Sequence, residues 1–129
     1  MWPRINDLRA MELGTPDDFR TELNSLVLCG KKTATTGLLT EYIKEGEILE
    51  HAGERLALLD VRGTQVATIE ITDVQLLNFI DVSWEHVIAE GEGDVSLDGW
   101  RVAHTRYWRR LGTIVEDSTQ VVCLMFRLI

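Results

Sequence analysis

The stretch from Arg55 to Leu77 restricts the fold more than any other part of the chain. Two strand-like runs, "RLALLDV" and "QVATIEITDVQLL", are separated only by the turn-forming triplet Arg62-Gly63-Thr64. In the second run Val66, Thr68, Glu70 and Thr72 alternate with Ala67, Ile69 and Ile71, and past a break at Asp73 the apolar series resumes with Val74. This is the pattern of a half-buried strand whose polar face carries Glu70. The C-terminal "QVVCLMFRLI" is short and apolar and reads as a last strand in the core.

Helical pattern surrounds these strands. "GTPDDFRTELNSLVLCG" predicts a helix with Thr15 as N-cap, Pro16 at the first position, acids in the first turn and Gly30 just beyond the end. Phe19, Leu23, Leu26 and Val27 share one face of it, so the helix packs inward and delivers Lys31 and Lys32 at its exit. A connection rich in glycine and charge follows, with a short helical turn near Leu38 to Ile43. "DVSWEHVIAEG" predicts a short helix, and "SLDGWRVAHTRYWRRLG" a longer one capped by Ser96 and closed by Gly112. On the longer helix Trp100, Ala103, His104, Tyr107 and Leu111 share a face, which turns Arg106, Arg109 and Arg110 toward solvent. A helix, two strands, two helices and a terminal strand, without regular βαβ alternation, make an α+β protein with an antiparallel or mixed sheet. A small barrel with helices packed over its ends satisfies that order.

At 129 residues the chain is long enough for one core, and one ordered domain over residues 1–129 is expected. Charged residues interrupt the N-terminal apolar run, no segment approaches the ~20 apolar residues of a membrane span, and no membrane partner is expected. Cys29 and Cys123 form neither a disulfide framework nor, with three scattered histidines, a zinc quartet, which suits reduced thiols in the cytoplasm. The formal net charge of −8 opposes bulk DNA or RNA binding by counterion release. Positive charge is segregated in "GWRVAHTRYWRRLGTIV", which holds four arginines and no acid.

Three groups of residues carry chemical potential. Lys31 and Lys32 beside the hydroxyls of "TATT" pair amines with alcohols; a desolvated amine takes a proton from threonine, whereas an ordinary ammonium only orients. The helix end itself favours positive charge, so complementing the helix dipole is the alternative reading of the two lysines. "AEGEGD" alternates Glu90, Glu92 and Asp94 with glycine, as either a converging set of carboxylates or a solvated linker. A calcium loop counted from Glu90 would need glycine at Val95 and glutamate at Arg101, so no metal is expected there. His104, on an apolar face, reads as a hydrogen-bonded core histidine, and the arginine face with Tyr107 and Trp108 reads either as a grip for phosphate and base or as an ordinary solvated face.

"LVLCGKKTATTGLL" resembles the signature of the ASCH domain, a small superfamily related to the PUA fold, in which a helix ends in Gly-[Lys/Arg]-Lys-Thr-x-[Thr/Ser]. "EYIKEGE", "EHAGERLALLD", "IEITDVQLLNFIDV", "AEGEGDVSLDGWRVAH" and "VVCLMFRLI" follow in the order seen in the larger bacterial branch. The resemblance spans residues 15 to 129 and leaves 1–14 as an N-terminal extension. It implies a PUA-like barrel of mixed or antiparallel strands, with a cleft between the first helix and the acidic segment. It also implies RNA or nucleoside chemistry without a cofactor, the partner being a small nucleoside or a short RNA. One small bacterial branch removes the acetyl group of N4-acetylcytidine with a lysine, a threonine and a glutamate, and other members are ribonucleases. Aligned on Gly30, the lysine falls on Lys32 and the threonine on Thr35. The glutamate falls on Glu90 counted forward from His86 and on Glu92 counted back from Ser96. Lys32 and Thr35 would sit side by side on a helical or 3₁₀ turn. Lys31, Thr33, Glu41, Arg101, Arg106 and Arg109 are the expected substrate contacts. A non-catalytic RNA-binding module remains the alternative.

Overall fold

The computed structural model describes residues 1–129. Six strands, β1 (Arg4–Ile5), β2 (Leu8–Met11), β3 (Ala34–Leu38), β4 (Arg55–Leu59), β5 (Gln65–Asn78) and β6 (Gln120–Leu128), form one sheet in the order β1-β2-β4-β5-β6-β3. Four helices accompany it: α1 (Asp18–Leu28), α2 (Leu39–Glu45), α3 (Trp84–Glu90) and α4 (Leu97–Arg110). The sheet is mixed, because β2 runs parallel to β4 while every other pair is antiparallel. The edge strands β1 and β3 do not pair with each other, so the barrel expected from the helix-and-strand order is not closed by hydrogen bonds.

Strand β5 is long because it serves two partners, β4 through its first half and β6 from Ile69 to Asn78. A register shift between Ile71 and Asp73 lies where the alternation of the sequence breaks. The extra residue exchanges the strand's faces. Ile69, Ile71 and Val74 therefore pack on one core, while Leu77 packs on another. Strand β6 divides likewise: Val122, Leu124 and Phe126 join the core under α1, and Val121 and Cys123 join Trp100, Trp108 and Phe79 under α4. The sheet thus separates two apolar clusters, each residue burying about 1.5–3 kcal/mol worth of large apolar side chain.

Three local features differ from the sequence expectation. The N-cap of α1 is Asp17, whose carboxylate accepts from the Phe19 amide, and the Thr15 hydroxyl donates to that carboxylate instead of capping. Residues 1–14 do not stand apart, since β1 and β2 join the sheet through a two-residue turn with Asn6 and Asp7 both at positive φ (49° and 68°). Both central residues at positive φ make the turn type that suits the twist of a hairpin. The "TATT" segment is not a helical turn. The Lys31 and Lys32 amides both donate to the Leu26 carbonyl and finish α1, after which the β-branched threonines run extended as β3 against β6.

Glycine is required where the acidic segment meets the exit of α1. Gly91 has φ +67°, and a Cβ there would collide with the Lys31 carbonyl and lie 3.1 Å from the Lys32 nitrogen. Gly46 has the same φ but open space around it. Gly91→Ala should therefore cost more than about 2 kcal/mol in urea unfolding, and Gly46→Ala only about 1 kcal/mol; equal losses would show that the close approach carries no strain.

Candidate active site

The site is organised around a carboxylate that the fold removes from water. Glu90, the last residue of α3, is 1% exposed, and both of its oxygens are occupied. Oε1 accepts from the Trp100 indole of α4 at 2.8 Å, and Oε2 accepts from the Thr36 hydroxyl of β3 at 2.6 Å. The Thr36 oxygen lies 2.8 Å from His86 Nε2, one turn earlier on α3 and 3.2 Å from the same carboxylate oxygen. Because the Thr36 hydroxyl spends its one hydrogen on Glu90, its oxygen accepts here and His86 Nε2 carries the proton.

Lys32 lies beside this network, 2% exposed. Its Nζ pairs with Glu92 Oε2 at 2.8 Å and approaches the Glu90 carbonyl at 3.5 Å. Thr33 fastens the segment to α3, with its amide donating to the Ala89 carbonyl at 2.8 Å and its hydroxyl reaching the same oxygen at 3.3 Å. Two cations and two carboxylates are thus packed together, and buried charges persist only when matched in this way. Burial works against ionised Glu90, but the His86 hydrogen bond, Lys32, His104 and Thr36 outweigh it and bring its pKa down to about 2. Burial likewise works against His86 as a cation, but the Cys123 and Glu90 contacts prevail and raise it to about 9.

Lys32, Thr35, Thr36, Glu90 and Glu92 line a cavity of about 650 Å³, together with Asp94, His104, Tyr107 and Arg110. A smaller cavity of about 300 Å³ adjoins it and shares the Thr35–Thr36 segment, Tyr107 and Trp108 as a common wall. The loop from Leu13 to Thr15 also borders both, and Arg20 holds it by donating to the Leu13 and Gly14 carbonyls. No three His, Cys, Asp or Glu side chains converge in a way that could hold a metal ion.

The expected site residues divide into two groups. Lys32, Thr35, Glu90 and Glu92 meet at the larger cavity, and Glu92, not Glu90, touches the lysine side chain. The helical or 3₁₀ turn expected to set Lys32 and Thr35 side by side is absent, since Thr35 belongs to strand β3; both residues line one cavity. Glu41 is exposed at the edge of the smaller cavity, where partial loss of hydration raises its pKa. Lys31 is exposed, and its backbone faces Gly91.

Arg101, Arg106 and Arg109 line neither cavity, and Arg101 is engaged with Asp98 and the Ile80 carbonyl. Helical phase explains the difference. The cavity-facing side of α4 runs through Ala103, His104, Tyr107 and Arg110, so the arginine at the rim is Arg110, which is not among the expected substrate contacts. His104 is half-buried and borders the cavity, with its ring tilted over Trp100 at 4.2 Å, so it is not a core residue. Sequence reasoning missed Thr36, His86 and Trp100. The only available signal was the i,i+4 spacing of His86 and Glu90 on one short helix.

These shifts fix the pH dependence of stability. His86 contributes stability that is complete below its ordinary value of 6.5 and is lost as pH rises through about 9. Glu90 contributes stability present above 4.5 and lost as pH falls through about 2. The stability difference between wild type and His86→Gln in urea unfolding should therefore be largest near pH 6 and shrink toward about pH 9; a constant difference across that range would contradict the charged pair.

Comparison with known proteins agrees with this architecture. A protein from Enterococcus faecalis superposes with a TM-score of 0.80 at 28% identity, over 92% of this chain and 74% of that one. An ASCH domain from Lactobacillus crispatus gives a TM-score of 0.76 at 28% identity, over 92% and 77% of the two chains. A mutant of the ASCH protein of Zymomonas mobilis matches at 0.53 and 15% identity, over 83% and 63%, a likeness of fold alone. No curated protein matches the sequence. No helix is long and apolar enough to cross a membrane. The ASCH domain family model matches residues 10–129, and with this sheet, this order of helices and these structural neighbours the chain belongs to the ASCH domain family.

Proposed function

We propose that the chain is a hydrolase that cleaves an amide on a modified nucleoside of the N4-acetylcytidine kind. One observation carries this reading: a lysine ammonium buried against Glu92, at the wall of a cavity that Thr35 also lines. In the proposed cycle Lys32 passes a proton to Glu92, and the amine so formed takes the proton of Thr35 as its oxygen adds to the amide carbonyl. The restored ammonium stabilises the oxyanion. Glu92 returns its proton to the departing nitrogen, which leaves an ester on Thr35. Water then hydrolyses the ester through the same relay. Glu90 acts as a positioning residue, because Trp100, Thr36 and His86 already occupy both of its oxygens.

Charge placement supports a free nucleoside over long RNA. The formal net charge is −8, and the exposed Arg106 and Arg109 lie off both cavities, whereas an RNA binder or a ribonuclease of this design would bring them to the phosphates. Lys32→Ala and Thr35→Ala should each lower kcat/KM for N4-acetylcytidine deacetylation at least about 100-fold, while neutralising Arg106 and Arg109 should leave it unchanged. Unchanged turnover in Lys32→Ala would end the proposal. RNA cleavage that depends on Lys32, in the absence of deacetylation, would replace it with the ribonuclease reading.

A further inference from the structure

Six charged residues of this protein are buried: Arg9, Arg20, Lys32, Glu50, His86 and Glu90. Five have an ion-pair partner, through Arg9–Glu54 at 3.0 Å, Arg20–Glu12 at 3.3 Å, Lys32–Glu92 at 2.8 Å and His86–Glu90 at 3.2 Å. Glu50 has none. It is 7% exposed, and its side-chain partner is the Tyr42 hydroxyl, which donates to Oε1 at 2.8 Å. Its own backbone amide and the charge of Arg9 also favour the carboxylate, but burial outweighs them and no cation makes a direct ion pair with it. Glu50 also lines the smaller cavity, from which a further donor would reach it.

That cavity has a consistent chemistry. Its volume of about 300 Å³ is at the lower end of small-molecule sites. Trp2, Tyr42, Tyr107 and Trp108 supply aromatic surface, and the Trp2 and Tyr42 rings meet edge to face at 4.7 Å. Its ionisable lining includes Glu12, Glu41 and Glu50 but no lysine, arginine or histidine, so a carboxylate or phosphate would be repelled and a flat hydrogen-bond donor welcomed. Burial raises the pKa of both Glu50 and Glu41. The larger cavity carries both signs, Lys32, His104 and Arg110 with Asp17, Glu90, Glu92 and Asp94, and Thr35 lines both cavities.

We propose that the smaller cavity is the subsite for a flat ring with an amidine-type edge, a ring nitrogen beside an amino group, held against the Glu50 carboxyl between aromatic walls. A carboxyl and an amidine share one proton across two hydrogen bonds. The pairing is the same whether the acid or the base holds that proton, so it compensates Glu50 in either state. The inference rests on the hydrolase reading in one respect: a substrate bridging the wall puts its base in this subsite and its amide at Thr35.

Cytidine presents the amidine edge, and uridine replaces it with an imide. Calorimetric titration of the full chain should give cytidine at least about tenfold tighter binding than uridine. Glu50→Met should abolish the preference and Lys32→Ala should keep it. Should Glu50→Met not fold, the wild type still decides: cytidine should shift the NMR resonances of the Trp2 indole N–H and the Tyr42 ring. Equal affinities, no binding of either nucleoside, a preference that survives Glu50→Met, or shifts confined to the larger cavity would each overturn the inference. These readouts measure binding, so their failure leaves deacetylation by Lys32 and Thr35 standing, and a failed turnover test leaves the cytidine preference to be judged by itself.

Discussion

The Glu90 carboxylate is the interaction on which the arrangement of the site depends. It sits at the end of α3, receives the Trp100 indole from α4 and the Thr36 hydroxyl from β3, and lies beside His86 of its own helix. Three elements distant in sequence are therefore fixed to one buried anion. Hydrogen bonds to a charged group in a dry interior are the stronger kind, and removing any partner leaves the charge uncompensated. Trp100 shows how this charge and the apolar core support each other. Its ring is fully buried among Phe79 and Trp108, and its N–H, which would otherwise be orphaned there, ends on Glu90.

With α3 held in this way, Gly91 brings the acidic segment against the exit of α1. Only a residue without a Cβ permits that approach. Lys32 consequently leaves α1 into a buried position where Glu92 can meet it. The extended course of "TATT" then matters more than the residue count from Lys32. As strand β3 it forms a wall between two cavities of opposite character, one carrying both signs of charge and one carrying acids among aromatic rings. A chain with net charge −8 in this way keeps one lysine buried beside a carboxylate at the wall of a cavity.

Much of the fold was legible because its signals are local. The alternation through β5, including the break at Asp73 that became the register shift, and the caps and apolar faces of α1, α3 and α4 could all be read from neighbours in sequence. β1 and β2 escaped because they are two and four residues long, too short for a period, although the Asn6-Asp7 turn between them was a usable sign. β3 was mistaken because three-residue spacing suggests a helical neighbour pair, whereas β6 supplied the strand pairing that decided the conformation. Of the site, Lys32, Thr35 and the two glutamates were named from their motif. Thr36, His86 and Trp100 were not, since nothing in a single sequence indicates that three ordinary side chains converge on one carboxylate.

By itself, then, the sequence determined the number and kind of most elements, the acidic charge balance and the short set of residues able to do chemistry, because periodicity, capping and composition act over a few residues. Tertiary structure alone decided which carboxylate meets Lys32, which arginine reaches a cavity rim and which buried acid makes no direct ion pair. Those outcomes depend on helix phase, on the approach allowed at Gly91 and on the burial of charge between distant segments. The energies concerned are set by distance and dielectric environment, which come into being only when the chain is folded.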